Sequence, residues 1–281
     1  MAVAFDAVGP SGGGGAGSSN PTSPLTWSHT CTGTNRVLYV GVVIGDRNND
    51  ADQAITGVTY NSVALTKIGS TIHTGANHFG FIELWRLINP DTGSNTVSVS
   101  WTNSSPDVLD SIEAGSVSFT GVHQTTPEVS AHTTNNTGSG SSFSLSVTSS
   151  TGNAVLDVAG WGTDFNHSTP STQTTRWNLN LGGSTGASNG IQSSADGAAS
   201  VSMGHSSEGG SDIWATIGID IAIASDITVN ASGNSATASI TSVAVTTGAG
   251  GAGVNYYYQP NLGGVKQLGI SDILDASTGI I

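Results

Sequence analysis

The strongest hydrophobic pattern in this chain lies in residues 80–122. Residues 81–88 (FIELWRLI) are almost wholly apolar. In an extended chain Phe81, Glu83, Trp85 and Leu87 share one face, and Ile82, Leu84, Arg86 and Ile88 the other. Both faces are mostly apolar, so this run predicts a strand buried on both sides. The turn formers of residues 89–93 (NPDTG) stop it. Val97, Val99 and Trp101 then alternate with Thr96, Ser98, Ser100 and Thr102, as in a strand with one wet face. Residues 115–122 alternate again, with Val117 and Phe119 expected inward and Ser116, Ser118 and Thr120 outward.

The same reading extends along the chain. Residues 3–8 predict a short strand. Residues 10–24 are rich in Gly and Ser and predict a loop without a packed element. Residues 25–31 alternate, with Leu25, Trp27 and His29 on one face. Residues 36–45 (RVLYVGVVIG) and 154–161 (AVLDVAGW) predict two more central strands, the second with Asp157 in its interior. Residues 55–60 and 63–68 flank Asn61-Ser62 as a hairpin. Residues 124–140 read as a polar loop. Residues 143–148, 176–181, 198–203 and 213–223 complete about a dozen expected strands.

Short strands with frequent turns, and Gly, Ser and Thr contents that oppose helix, predict an all-β fold. The expected architecture is an antiparallel two-sheet, jelly-roll-like sandwich over residues 1–225. Residues 226–281 read as a C-terminal extension: a hairpin over 227–245, a Gly-rich linker at 248–253, and a docking tail. In that tail Val265, Leu268, Ile273 and Leu274 could share a helical face.

Composition narrows the function classes. Charged residues are 9% of 281, with 19 acidic against 6 basic and a net charge of −13. This field disfavours nucleic acid and an anionic membrane surface. No run is long and apolar enough to predict membrane insertion. The N-terminal residues lack the pattern of a secretory signal, so assembly in the cytoplasm is expected. Cys31 is the only cysteine and reads as a small buried hydrophobe.

Candidate chemistry is sparse. Asp46, Asn48, Asp50 and Asp52 place oxygen donors at alternate positions, as a calcium loop does, but Ala51 and Gly57 stand where the EF-hand pattern wants Gly and Glu. No other cofactor is indicated. Glu83, Arg86 and Asp157 are charges inside apolar runs, and Glu83 with Asp157 would make a glycoside-cleaving pair only across a shared cleft. The histidines form no zinc motif, and no G-x-S-x-G elbow is present. Trp101 and Trp177 lie beside turn-rich segments and are the candidate exposed platforms for a host-surface glycan. The other tryptophans read as core. Tyr256, Tyr257 and Tyr258, with Ile273 and Leu274, are the candidate oligomer or docking contacts.

Seven segments in order, FDA (5–7), LTWSHT (25–30), RVLYVGV (36–42), VTYNSVALTKIG (58–69), ELWRLINP (83–90), GSVSFTGVHQTTP (115–127) and DIWATIGIDI (212–221), resemble a β-sandwich module of phage minor tail proteins, especially those of phages of actinobacteria. The module also occurs in some bacterial surface proteins, and the resemblance implies a sandwich fold and a non-enzymatic, structural setting in a virion, among other virion proteins, or at an exposed surface. By analogy with phage fibres, a homo-oligomer is expected, a trimer first. A carbohydrate-binding or adhesion module, or a capsid decoration protein, is the alternative.

Overall fold

The computed structural model of the chain describes residues 2–46, 53–75, 78–102, 111–129, 134–162, 166–181, 189–224, 255–259 and 264–268. The described residues are all β, in antiparallel sheets, with no helix. They fall into two compact units, Met1–Asp226 and Ile227–Ile281.

The first unit is built in two successive halves. The first half contains β1 (Ala4–Gly9), β2 (Ala16–Ser19), β3 (Leu25–Cys31), β4 (Val37–Asp46), β5 (Ala54–Tyr60), β6 (Val63–Ala64), β7 (Thr66–Gly75), β8 (His78–Ile88), β9 (Gly93–Thr102) and β10 (Ser111–Thr120). The second contains β11 (Thr134–Gly140), β12 (Ser142–Val147), β13 (Ala154–Trp161), β14 (His167–Ser168), β15 (Thr174–Asn180), β16 (Asn189–Asp196), β17 (Val201–Ser207) and β18 (Asp212–Ile221).

Each half is a sandwich, and the two share one connectivity. The first half pairs β1-β10-β4-β8-β7 in one sheet, with β2 also on β10, and β3-β9-β5-β6 in the other. The second pairs β11-β18-β13-β16-β15 and β12-β17-β14. With β2 and β6 set aside as additions, both read first–eighth–third–sixth–fifth in the larger sheet and second–seventh–fourth in the smaller. The sandwich architecture is therefore repeated, and four sheets replace the expected two.

The two larger sheets pack against each other. One core, with Leu38, Val40, Trp85 and Val99, fills the first sandwich. A second, with Val43, Ile82, Leu84, Leu156, Val158 and Ile217, joins the two larger sheets. Two smaller clusters fill the second sandwich. This layering explains why β10 and β13 are buried along essentially their whole length: each central strand has a packed sheet on both faces. The faces predicted for residues 81–88 hold, with Phe81 and Trp85 in the first core and Ile82 and Leu84 in the second.

Trp177 occupies the interface of the larger sheets. It is fully buried, and its Nε1 donates to Gln192 Oε1 at 2.7 Å. The indole lies over glycines from three strands. A Cβ on Gly190 would stand 2.8 Å from the ring, one on Gly41 3.3 Å from it, and one on Gly115 would overlap ring atoms. Gly160 shows the same close approach, since its Cβ would meet Val43 at 2.6 Å. These glycines let two sheets come together around a bulky ring.

Several expectations are corrected. Residues 16–19 and 134–140 form edge strands although their composition reads as loop, because the neighbouring strands β10 and β18 supply hydrogen bonds that do not depend on side chains. β16 (NGIQSSAD) is a buried strand that its polar sequence hides. Ser116 and Ser118 face the first core rather than solvent. The Asn61-Ser62 hairpin is as expected, with both residues at positive φ and a primed turn implied.

The second unit contains β19 (Asn255–Gln259) paired with β20 (Gly264–Leu268). Val265 and Leu268 thus lie on a strand, not on the helical face expected of them. Ile273, Leu274 and the hairpin and linker expected over 227–253 lie outside the described residues.

Val40 and Leu84 are fully buried, so Val40→Asp and Leu84→Asp each place an unpaired charge in a dry core and prevent folding. Trp177→Ala costs about 3–5 kcal/mol by cavity formation, and Gly115→Val destabilises the domain by a steric clash with the same ring. Soluble yield and urea denaturation of the four variants check these outcomes.

Candidate functional site

Polar constellations are buried at several places in the first unit, and three of them contain the candidate residues or the shifted groups. The first centres on His29, which is buried with Trp27 on the inward face of β3. Ser118 donates to Asp6 Oδ2 at 2.8 Å, so its oxygen accepts from His29 Nε2 at 2.9 Å. This leaves Nδ1 as an acceptor facing the Ser116 hydroxyl at 2.9 Å. Ser116 also accepts from Trp27 Nε1 at 2.9 Å and lies 3.2 Å from the Gly9 carbonyl. Burial pulls the His29 imidazole down to about 4, against a smaller upward pull from Asp6. Cys31, on the same inward face of β3, is buried, as expected, and burial raises its thiol.

The second constellation lies in the second sandwich. Asp157 is fully buried and its Oδ1 accepts from both Ser193 N, at 2.9 Å, and Ser193 Oγ, at 2.8 Å. His205 Nε2 donates to Asp157 Oδ2 at 2.7 Å across the two sheets. Beside this pair sits an aromatic cluster. Trp161 stacks on His167 with centroids 4.0 Å apart, and Phe143 stacks on Trp214 at 4.6 Å. Trp161 Nε1, Trp214 Nε1, His205 Nδ1 and both His167 ring nitrogens have no hydrogen-bond partner among the described residues. Burial pulls His167 down to about 3, helped by the neighbouring His205. The Ser206 backbone opposes this weakly but does not reach hydrogen-bonding geometry.

The third holds the two sandwiches together. Glu128 precedes β11, with its Oε1 accepting from Tyr39 on β4 at 2.7 Å and its Oε2 paired to Arg86 on β8. Burial, then the Glu128 charge, raises the Tyr39 phenol well above its ordinary value. Arg86, Glu128, Ile68, Val129 and Ala222 border an open groove of about 700 Å³.

The bond order in these clusters limits their chemistry. A Ser-His-Asp triad needs the imidazole between hydroxyl and carboxylate. In the first cluster the serine stands between Asp6 and His29, and in the second the carboxylate stands between Ser193 and His205. Glu83 and Asp157 do not share a cleft. Glu83 faces the first core, bonded to Lys67 Nζ at 2.8 Å and Trp85 Nε1 at 2.9 Å, whereas Asp157 faces the second sandwich. Both larger sheets stand between them.

The glycan platforms are overturned. Trp101 is 6% exposed and Trp177 0%, because each occupies an inward strand position. Asn48, Asp50 and Asp52 lie outside the described residues, as does the side chain of Asp46 at the end of β4. Among the described residues no three His, Cys, Asp or Glu side chains gather as a metal group. Tyr256, Tyr257 and Tyr258 form β19. The His29 cluster had a sequence signal, since His29 shares the alternation of Leu25 and Trp27. Asp157 and Arg86 were marked as charges inside apolar runs, but nothing in the sequence marked their partners His205 and Glu128, which lie far away in the chain.

Both shifted histidines are neutral when folded and have an ordinary value of 6.5. Their contribution is complete above pH 6.5 and is lost as pH falls toward about 4 for His29 and about 3 for His167. Each ring steepens the acid limb by about 1.4 kcal/mol per pH unit in that window. His167→Phe keeps the stack on Trp161 and flattens the dependence of Tm on pH below 6.5. An unchanged slope contradicts this assignment.

Comparison of the chain with protein-family models, curated proteins and solved structures finds no match.

Proposed function

We propose that this chain is a non-catalytic structural subunit of a phage particle, a minor tail protein at the tail or tail tip. The observation that carries this reading is where the first unit's polar groups go. His29, His205 and Glu128 tie sheets to one another inside a doubled sandwich, and Asp6 and Ser193 complete the networks of the first two within their own sheets. Buried networks of this kind specify one packing of the sheets, which suits a part that must present a fixed shape to its neighbours. The resemblance supports the virion setting. Its segments LTWSHT, RVLYVGV, ELWRLINP and DIWATIGIDI fall largely on β3, β4, β8 and β18, strands that carry the cores.

The second unit is the proposed assembly element. Its β19–β20 hairpin carries Tyr256, Tyr257 and Tyr258, a residue type enriched at interface centres. We assign it to self-association, as a trimer, or to contact with other virion proteins.

Mass spectrometry and antibody labelling of purified particles test the main reading. The chain is expected at tail-protein abundance with label on the tail, and its absence from intact particles overturns the proposal. Light scattering tests the assembly element: the full chain is expected at three times its monomer mass and a chain ending at Asp226 at one. Equal masses for the two remove the second unit from this role.

A further inference from the structure

We propose that the outer face of the first sandwich binds an uncharged polysaccharide, with a pocket beside β3 as its principal subsite. The first observation is where charge is missing. The outer sheet β3-β9-β5-β6 contains no Asp, Glu, Lys or Arg, although protein surfaces ordinarily carry charge at about a quarter of positions or more. In its place stand rows of hydroxyls. On β3 Thr26, Ser28 and Thr30 are exposed, opposite Ser98, Thr96 and Ser94 on β9. Adjacent strands lie about 4.8 Å apart and alternate residues about 6.8 Å apart, so the β3–β9 part of the face is a lattice of short donors and acceptors without charged side chains, bordered by the exposed Ala54, Val63 and Ala64 of β5 and β6. A neutral polymer with repeated hydroxyls meets such a lattice without desolvating an ion, whereas an anionic one meets a chain of net charge −13.

The second observation is the pocket, of about 390 Å³, at the border of this face. That volume lies within the range of small-ligand sites. Ala7, Val8 and Pro10 form an apolar wall, and Ser11, Ser28, Thr30 and Ser94 supply hydroxyls. An apolar wall with a hydroxyl rim suits a sugar ring, which presents C–H groups on its face and hydroxyls around its edge. No cationic side chain lines the pocket, so nothing in it selects phosphate or carboxylate.

The third observation is that the pocket wall is held from behind. The Gly9 carbonyl lies 3.2 Å from Ser116 Oγ, within the buried His29 network. A Cβ on Gly9 would meet Ser116 Oγ at 2.7 Å and His29 Nδ1 at 2.8 Å. The end of β1, which carries Ala7 and Val8, is thereby fixed against the core, and a preformed wall lowers the ordering cost of binding.

The test titrates the full chain with maltohexaose, laminarin and a neutral arabinogalactan, with alginate as the anionic comparison. Saturable binding of at least one neutral glycan is expected, and none of alginate. Thr30→Glu and Ser94→Glu are each expected to weaken binding tenfold or more. Ser146→Glu, on the exposed face of the second sandwich, is expected to leave it unchanged. Circular dichroism and Tm show that the variants are folded, and the two pocket variants stand in for each other should one fail. Failure of all three neutral glycans, equal binding of alginate, or retained affinity in the folded pocket variants overturns the proposal. So does a pocket variant that changes only the assembly mass, since that marks the face as a contact between copies. The outcome does not depend on where the protein resides in a particle.

Discussion

The close approach of the two larger sheets around Trp177 is the constraint on which the rest of the first unit depends. The indole fills the space between β4, β10 and β16 only because Gly41, Gly115 and Gly190 carry no Cβ. With that approach in place, Val43, Ile82, Leu84, Val158 and Ile217 share one core. Without it, the inner faces of two sandwiches would each expose an apolar sheet. At about 25 cal/mol per Å² of apolar surface, such exposure costs far more than any single polar contact in the structure contributes.

The buried polar groups follow from the same layering. A strand with packed sheets on both faces has no wet side on which to place Ser116, Ser118, Asp157 or Ser193. Each is therefore bonded within the core, and two histidines mediate the cross-sheet links, His29 in the first sandwich and His205 in the second. Removing one partner leaves a buried group unsatisfied, which is why such networks fix one arrangement of sheets more than they add net stability. Burial keeps His29 and His167 neutral, so protonating either ring in acid opposes the folded packing.

Charge is distributed in an unusual way. Glu83, Arg86, Glu113, Asp157 and Asp220 belong to the inner sheets, while the two outer sheets carry none. On β3, β9, β12 and β17 the water-facing residues are mostly serine and threonine, whereas β5 and β6 also expose Ala54, Val63 and Ala64. This arrangement keeps charged side chains off the outer sheets and leaves those faces to recognition by hydroxyl groups or by close packing.

The alternation of residues 25–31 and 97–101 and the apolar runs at 36–45, 81–88 and 154–161 determined the antiparallel β class, the central strands and the two faces of β8, because side-chain periodicity is a local property. The positive-φ pair Asn61-Ser62 likewise marked its hairpin. The sequence did not disclose that 16–19, 134–140 and 189–196 are strands, since their backbone hydrogen bonds come from neighbours and not from their own side chains. Nor did it disclose the doubling: the halves share connectivity, which is a relation among strands far apart in the chain. Trp101 and Trp177 looked like surface platforms beside turns, and Ser116 and Ser118 like a wet face. Only the tertiary packing decided that all four are core: Trp101, Ser116 and Ser118 face the inside of the first sandwich, and Trp177 lies between the two larger sheets.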